Sequence, residues 1–127
     1  FEEAYALLSA AASDKSHVDG WTHNFYRYPA RFSPSFARAA IHAFSKPGDL
    51  VCDPYMGGGT TVVESLAASR DVVGNDLNSL AAFIAQVKVT PLKPADFAAI
   101  RKWLDDEVPL LGYSERIADL ESFVDVT

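Results

Sequence analysis

Three consecutive glycines, Gly57 to Gly59, limit the folds open to this chain more than any other feature. Before them, the apolar run from Leu50 to Cys52 predicts a buried strand that ends at Asp53. After them, Thr60 and Thr61 are suited to cap a helix that runs to about Ser69. Because three glycines in a row are unsuited to regular structure, the order is strand, glycine loop and helix. That order is typical of the ligand-binding edge of a parallel sheet.

A second strand and helix follow the first pair. Val72 and Val73 predict a short strand within residues 71–74 that ends near Asp76. Ser79 to Lys88 predicts a helix that carries Leu80, Phe83, Ile84 and Val87 on one side. The fold class is therefore α/β with a Rossmann-like, doubly wound parallel sheet. Only two strands are evident, whereas a complete sheet averages about five or six, so we expect an incomplete domain.

The flanking sequence completes a four-part organisation of one partial domain. Residues 1–20 predict an N-terminal amphipathic helix over 1–12 and a loop, and residues 21–46 an aromatic segment and a helix that Ser33 caps and Pro34 begins. Residues 47–90 hold the two strand–helix units. Residues 91–127 form an acidic extension with predicted helices over Ala95 to Asp106 and Ser114 to Phe123.

Composition sets limits on the class of protein. The chain has 127 residues, 49% of them hydrophobic, with a net charge of −6 and one cysteine. No apolar run is long enough to span a bilayer and no secretory signal is evident, so we expect a cytoplasmic protein with no membrane partner. Since the chain opens at Phe1 and its one methionine is Met56, we expect a piece of a longer product. The acidic balance argues against this piece holding a nucleic-acid backbone alone.

The glycine loop fails two familiar phosphate-binding patterns. No lysine follows the glycines, as a P-loop requires, and Val62 stands where a dinucleotide fingerprint has its third glycine. Asp76 is placed to accept hydrogen bonds from two ribose hydroxyls, and Asp53 suits a cationic ligand. S-adenosylmethionine offers both a ribose and cationic groups. We expect a side chain at Gly59, as in Gly59→Val, to enter the ligand's space and abolish binding with little loss of fold. The alternative interpretation of the whole stretch is a plain strand-to-helix turn with a capping acid at each strand end.

Three segments, in order, resemble the amino-group DNA methyltransferases, which modify adenine N6 or cytosine N4. The loop from Asp53 to Thr61 is similar to the family's Asp-Pro-Phe-x-Gly-x-Gly-Thr-Thr, with Tyr55 for phenylalanine. Gly74 to Asn78 resembles its acid-bearing second motif. Tyr28 to Pro34 is similar to a Tyr/His-Pro-Ala-Lys-Phe-x-Pro segment that closes over the methionine end of the cofactor, with Arg31 for lysine. The resemblance covers about residues 20–90.

This resemblance implies the class I S-adenosylmethionine-dependent methyltransferase fold, incomplete in this chain, with S-adenosyl-L-methionine as cofactor. The implied cofactor-binding residues are His23, Tyr28, Pro29, Ala30, Arg31, Phe32, Ser33, Asp53, Pro54, Tyr55, Met56, Gly57, Gly59, Thr60, Thr61, Asp76, Leu77 and Asn78. The implied partners are DNA, bound through other segments, and the remaining catalytic half of the same protein or a partner subunit.

The family's catalytic motif, Asp/Asn/Ser-Pro-Pro-aromatic, holds the flipped base and its amine. Asp53-Pro54-Tyr55 resembles it only superficially, because it has one proline and runs into the glycine loop. We therefore assign no catalytic residue to this chain and expect no methyl transfer by residues 1–127 alone. The alternatives are an RNA or protein-glutamine methyltransferase, which usually lacks the segment from His23 to Pro34, and a non-catalytic cofactor-binding or partner subunit.

The remaining candidate residues favour structural interpretations. Cys52 is expected to be a buried core thiol rather than a nucleophile, because it lies inside a predicted strand. The three histidines lack metal-ligand spacing, so we predict no metal site. Tyr26, Tyr28 and Phe32, interleaved with arginines, suit either a base-stacking surface or a cofactor lid, and the prolines among them favour the lid.

Overall fold

The computed structural model describes residues 1–26 and 31–111. The chain consists of two compact units, and the boundary between them along the sequence lies between Thr90 and Pro91. The first unit contains α1 (Glu2–Ser13), α2 (Pro34–Phe44), β1 (Leu50–Asp53), α3 (Thr60–Ala67), β2 (Asp71–Gly74) and α4 (Ser79–Val89). In the described part of the second unit, α5 (Pro94–Asp106) leads into a 3₁₀ turn (Val108–Leu111). The helix predicted over residues 114–123 lies outside the described residues.

The two strands are parallel and in register, as the sequence predicts. Leu50 pairs with Asp71 at one end, and Asp53 pairs with Gly74 at the other. One further bond beyond each end of the ladder extends the pairing, from the Asp71 amide to the Asp49 carbonyl (3.0 Å) and from the Asn75 amide to the Asp53 carbonyl (2.9 Å). The carboxyl ends of β1 and β2 therefore meet at one edge, where ligands bind in sheets of this type.

The strands are less buried than predicted. Leu50 is 65% exposed and the Cys52 thiol is also exposed, so the expectation of a buried core cysteine is wrong. Among the described residues, β1 pairs only with β2, which leaves its other edge open. A groove of about 470 Å³ runs between β1 and α2, lined largely by apolar side chains that include Phe36, Phe44, Leu50 and Cys52.

Small side chains dominate the apolar core of the first unit. Its buried hydrophobic residues are Ala37, Ala39, Ile41, Val62, Val63, Ala81, Ile84 and Ala85. The apolar side predicted for α4 is exposed at three of its four positions, Leu80, Phe83 and Val87, and buried at Ile84. The buried side carries Ala81 and Ala85 instead, since α4 approaches α3 too closely for larger residues.

The helix ends also differ from the sequence expectations. The hydroxyl of Ser33 lies 2.8 Å from the hydroxyl of Ser35 and makes no hydrogen bond to an α2 amide, although Ser33 holds the cap position. Gly59, not a threonine, caps α3, and the helix ends at Ala67, before the left-handed Ser69 (φ 60°). Beyond it, the buried Arg70 donates to the carbonyls of Ala68 and Ser45 and so ties the end of α3 to the end of α2.

A charged cluster lies between α2, α3 and the segment that precedes α2. Glu64 of α3 and His23 are each 1% exposed, and Nε2 of His23 lies 2.7 Å from Oε1 of Glu64. Arg38 of α2 donates from Nε to Oε2 (2.8 Å) and from Nη2 to Oε1 (2.9 Å) of the same carboxylate. Because a buried carboxylate is costly unless it is paired and hydrogen-bonded, these three donors make its burial possible.

The helices are all too short or too polar to cross a bilayer within the described residues. No group of histidine, cysteine and acidic side chains with the arrangement of a metal site occurs there either.

The closest approach between α3 and α4 generates a prediction about Gly59. A Cβ built on Gly59 would lie 2.7 Å from the Cβ of Ala85, and Gly59 has a left-handed φ of 76°. Gly59→Ala therefore adds a steric clash to backbone strain, and we expect it to lower the free energy of unfolding by about 2–4 kcal/mol. Gly48→Ala is the matched control, since Gly48 has a φ of 86° but nothing near its Cβ position. Urea denaturation of the full-length protein measures both, and an equal loss in the two variants would contradict the proposed clash.

Candidate functional site

A cleft of about 410 Å³ lies at the carboxyl ends of β1 and β2. This volume is in the range of small-molecule binding sites. The cleft combines the glycine loop, the first turn of α3, the acid that follows β2, and two residues from the segment before α2. Its lining residues are Arg31, Phe32, Asp53, Tyr55, Met56, Gly57, Gly58, Thr60, Thr61 and Asp76.

The Asp76 carboxylate holds the glycine loop in place. Its Oδ2 accepts a hydrogen bond from the Gly57 amide (2.9 Å), and its Oδ1 accepts one from the Asn78 amide (2.8 Å). The Met56 amide donates to the Asn75 carbonyl (3.0 Å), which adds a backbone bond across the same gap. The chain turns into α3 through the left-handed Gly57 (φ 50°), a conformation that glycine adopts without a Cβ clash. The loop is therefore held from the β2 side by hydrogen bonds within the protein.

Lys88 of α4 also holds the glycine loop, and this residue was not predicted from the sequence. The residue is 7% exposed, and its Nζ donates to the Gly58 carbonyl (2.7 Å). Burial lowers the pKa of Lys88 from its usual value, and the positive charge of Arg31 lowers it further. The available signal was periodicity, because Lys88 follows Ala81 and Ile84 on one side of α4.

The cleft presents both signs of charge. Asp53 and Asp76 supply carboxylates, and Arg31 supplies a guanidinium whose Nη1 also donates to the His23 carbonyl (3.0 Å). Oδ1 of Asp53 accepts from the Tyr55 amide (3.1 Å), which leaves the rest of that carboxylate available to a ligand. The first turn of α3 adds amide groups at the positive end of the helix dipole. These groups together suit a zwitterionic ligand that also carries hydroxyls.

Half of the residues predicted from sequence line this cleft. They are Arg31, Phe32, Asp53, Tyr55, Met56, Gly57, Thr60, Thr61 and Asp76, and Gly58 adds a lining residue that was not predicted. His23, Ser33, Pro54, Gly59, Leu77 and Asn78 do not line it. Tyr28, Pro29 and Ala30 lie outside the described residues.

The residues that do not line the cleft have other contacts. His23 is buried against Glu64, and the Asn78 side chain caps α4 by accepting from the Leu80 amide (3.0 Å). Leu77 lies beside the cleft and is almost fully exposed. Gly59 faces Ala85 rather than the cleft, so the expectation that Gly59→Val leaves the fold nearly intact is wrong.

A family model described as DNA methylase (N6_N4_Mtase) matches residues 9–86, more than half of the chain. Among curated proteins, the chain is 38% identical over 77 residues to the Type II methyltransferase M.MvaI of Kocuria varians, covering 58% of this chain and 17% of that protein. It is 31% identical over 103 residues to the Type II methyltransferase M.MjaII of Methanocaldococcus jannaschii, covering 81% of this chain and 18% of that protein. The chain thus spans less than a fifth of either relative.

Among solved structures, the crystal structure of the M1.HpyAVI-SAM complex superposes with a TM-score of 0.51 at 19% identity, over 62% of this chain and 42% of that one. This likeness confirms the predicted fold class, part of a class I methyltransferase fold. The match of the family model over both strands and the glycine loop shows that the chain belongs to the amino-group (N6_N4) family of DNA methylases.

Proposed function

We propose that these residues form the S-adenosylmethionine-binding part of a cytoplasmic DNA methyltransferase that acts on the exocyclic amine of adenine (N6) or cytosine (N4). The observation that carries the proposal is the Asp76 carboxylate, fixed against the glycine loop inside a cleft with both signs of charge. The SAM complex of M1.HpyAVI, whose fold the chain shares, supports the choice of ligand.

Asp76 can hold the loop and a ribose at the same time. A carboxylate has about four acceptor positions on its two oxygens, and the Gly57 and Asn78 amides use one position on each. One position per oxygen remains, which matches the two hydroxyls of a ribose. In this proposal Asp76 binds the ribose, and the loop amides that it orients approach the rest of the nucleoside.

The other charged groups of the cleft match the amino-acid end of the cofactor. Asp53 offers a carboxylate to the ammonium and sulfonium groups, and Arg31 offers a guanidinium to the ligand's one carboxylate. Phe32, stacked at a tilt on Phe36 of α2 with ring centroids 5.6 Å apart, forms an apolar wall beside Arg31. When bound, S-adenosylmethionine would supply an electrophilic methyl group, and these residues would hold its amino-acid end.

Catalysis in this proposal depends on residues outside this chain. No Pro-Pro-aromatic motif occurs in the 127 residues, and Asp53-Pro54-Tyr55 is committed to the loop, where Asp53 accepts the Tyr55 amide. The base-holding motif and the DNA-binding surface therefore belong to the remaining part of the protein or to a partner subunit. The matched relatives are more than five times as long as the segment they share with this chain, which allows for such a part.

The open edge of β1 is where we place that remaining part. Two-stranded sheets are marginally stable by themselves, and the groove beside β1 exposes Leu50 and Phe44 to solvent. A further apolar strand, paired with β1 along this edge, would satisfy its free backbone groups and cover the groove. We propose that the catalytic part of the same enzyme supplies this strand.

A first prediction tests the proposed reaction. The full-length gene product, incubated with DNA and tritiated S-adenosylmethionine, should transfer label to the exocyclic amine of one base, and nucleoside mass spectrometry of the product identifies N6-methyladenine or N4-methylcytosine. Label on RNA or protein but not on DNA would favour the alternative methyltransferase classes. Cofactor binding without transfer to any of these substrates would favour a non-catalytic subunit.

A second prediction separates the two ends of the ligand. Asp76→Asn should weaken binding of both S-adenosylmethionine and adenosine by about 10- to 100-fold, because both ligands carry the ribose and a charge-assisted contact is lost. Arg31→Met should weaken S-adenosylmethionine binding by about tenfold and leave adenosine binding within about twofold, because adenosine lacks the carboxylate.

The control for both variants is Asp71→Asn, at the amino end of β2, which should change neither affinity. Isothermal titration calorimetry on the full-length protein measures each Kd. An unchanged affinity in Asp76→Asn would remove the ribose assignment, and equal weakening of both ligands by Arg31→Met would remove the carboxylate assignment.

A third prediction tests whether a further strand pairs with the open edge of β1 in the full-length protein. The Cys52 thiol is exposed in residues 1–127, so a strand paired with β1 in the full-length protein should protect it. We expect maleimide labelling of Cys52, followed by peptide mass spectrometry, to be at least about tenfold slower in the native full-length protein than after denaturation in urea. Equal rates would show that this face of β1 is open in the whole protein.

A further inference from the structure

The cluster of His23, Arg38 and Glu64, named here the Glu64 cluster, is connected to the wall of the cleft. The ring of His23 hydrogen-bonds to Glu64, and the backbone carbonyl of His23 accepts a hydrogen bond from the Arg31 guanidinium. Arg31 and the next residue, Phe32, line the cleft. A path of direct hydrogen bonds therefore runs from Glu64 through His23 to Arg31.

Glu64 also belongs to the helix that the glycine loop begins. Gly59 caps α3, and Glu64 lies on the buried side of that helix, between Val63 and Ser65 in the interior. The loop forms one wall of the cleft, and Arg31 with Phe32 forms the other. The Glu64 carboxylate therefore links α3, which follows the glycine loop, to the segment before α2, which carries Arg31 and Phe32.

We propose that Glu64 is a positioning residue for cofactor binding, which fixes the Arg31 guanidinium in the cleft by way of His23. This inference rests on the proposed function, namely that the cleft binds S-adenosylmethionine. Glu64 itself does not line the cleft, so it acts on the ligand only through the residues that it holds.

The chemistry of the cluster requires a charged carboxylate at position 64. Oε1 accepts from His23 and from Arg38, and Oε2 accepts from Arg38, so every neighbouring polar group donates. Burial raises the pKa of Glu64, but the hydrogen bonds and charges of Arg38 and His23 outweigh burial and hold that pKa below its ordinary value. The same carboxylate raises the pKa of Arg38. Glu64 is therefore anionic at neutral pH and binds both partners as an anion.

The nearest alternative is that the Glu64 cluster only stabilises the fold. Glu64→Gln distinguishes the two, because it keeps the shape of the side chain but turns an amide group toward groups that donate. Arg38→Met is a second variant, and we expect it to lower the free energy of unfolding less than Glu64→Gln, because the Arg38 side chain is 49% exposed. Val63→Ala is the matched control, since it removes buried volume from the adjacent position of α3 and changes no member of the cluster.

The first measurement is the affinity of the full-length protein for S-adenosylmethionine by calorimetry, with thermal unfolding as the check on folding. We expect Glu64→Gln to raise Kd by about tenfold and Arg38→Met by about threefold, whereas Val63→Ala lowers the unfolding temperature and changes Kd by less than about twofold. Equal Kd values in Glu64→Gln and Val63→Ala would overturn the proposal.

The second measurement is the coupling between Glu64 and Arg31. If Glu64 acts through Arg31, the Glu64→Gln/Arg31→Met double variant should bind no more weakly than Arg31→Met alone. If Glu64 acts independently, the two increases in Kd multiply. Multiplied effects would contradict the proposed path.

The third measurement needs no ligand. Arginine modification by phenylglyoxal, followed at Arg31 by peptide mass spectrometry, should be at least about threefold faster in Glu64→Gln than in the wild-type protein and unchanged in Val63→Ala. If the wild-type protein binds no S-adenosylmethionine, the proposed function fails while this measurement still tests the positioning of Arg31. If the wild-type protein binds it and Arg31 reacts equally in all variants, the positioning inference alone fails.

Discussion

The hydrogen bond from the Gly57 amide to the Asp76 carboxylate is the interaction on which the cleft depends. It joins the loop after β1 to the acid after β2, and both positions meet only because the strands are parallel and in register. Within the loop the Gly59 amide donates to the Met56 carbonyl (2.8 Å), and the residues that follow β2 supply further hydrogen-bond partners that hold the loop. A charge-assisted bond in a partly buried position does this more firmly than a neutral one.

Buried polar groups hold the first unit together as much as its apolar core does. The core is formed mostly by alanine and valine, whose burial contributes little area per residue. Glu64, Arg70 and Lys88 are each buried, and each joins two elements by hydrogen bonds. The close approach of α3 and α4, which Gly59 and Ala85 permit, brings Lys88 within reach of the Gly58 carbonyl.

The exposure of β1 follows from the small size of the sheet in the described residues. In the described residues, a parallel sheet of two strands has more edge than interior, so Leu50 and Cys52 remain at the surface. The proposed cofactor cleft lies at the carboxyl ends of these two strands, and no Pro-Pro-aromatic motif occurs in the 127 residues.

The sequence by itself determined the local elements and the position of the site. Apolar runs bounded by glycine and proline placed β1, β2 and the helices α1 to α5 within a few residues, and the glycine loop with Asp76 located the cleft. These features follow from local backbone preferences and from the spacing of side chains, which a sequence displays directly.

Only the tertiary structure decided which side chains face inward. His23, predicted to contact a cofactor, is buried against Glu64, and Gly59 faces a helix instead of the cleft. Lys88 and Glu64 are charged residues at interior positions, and their partners lie 30 and 41 residues away in the chain. Burial of a charge is favourable only where distant donors or acceptors converge on it, and no local pattern records that convergence.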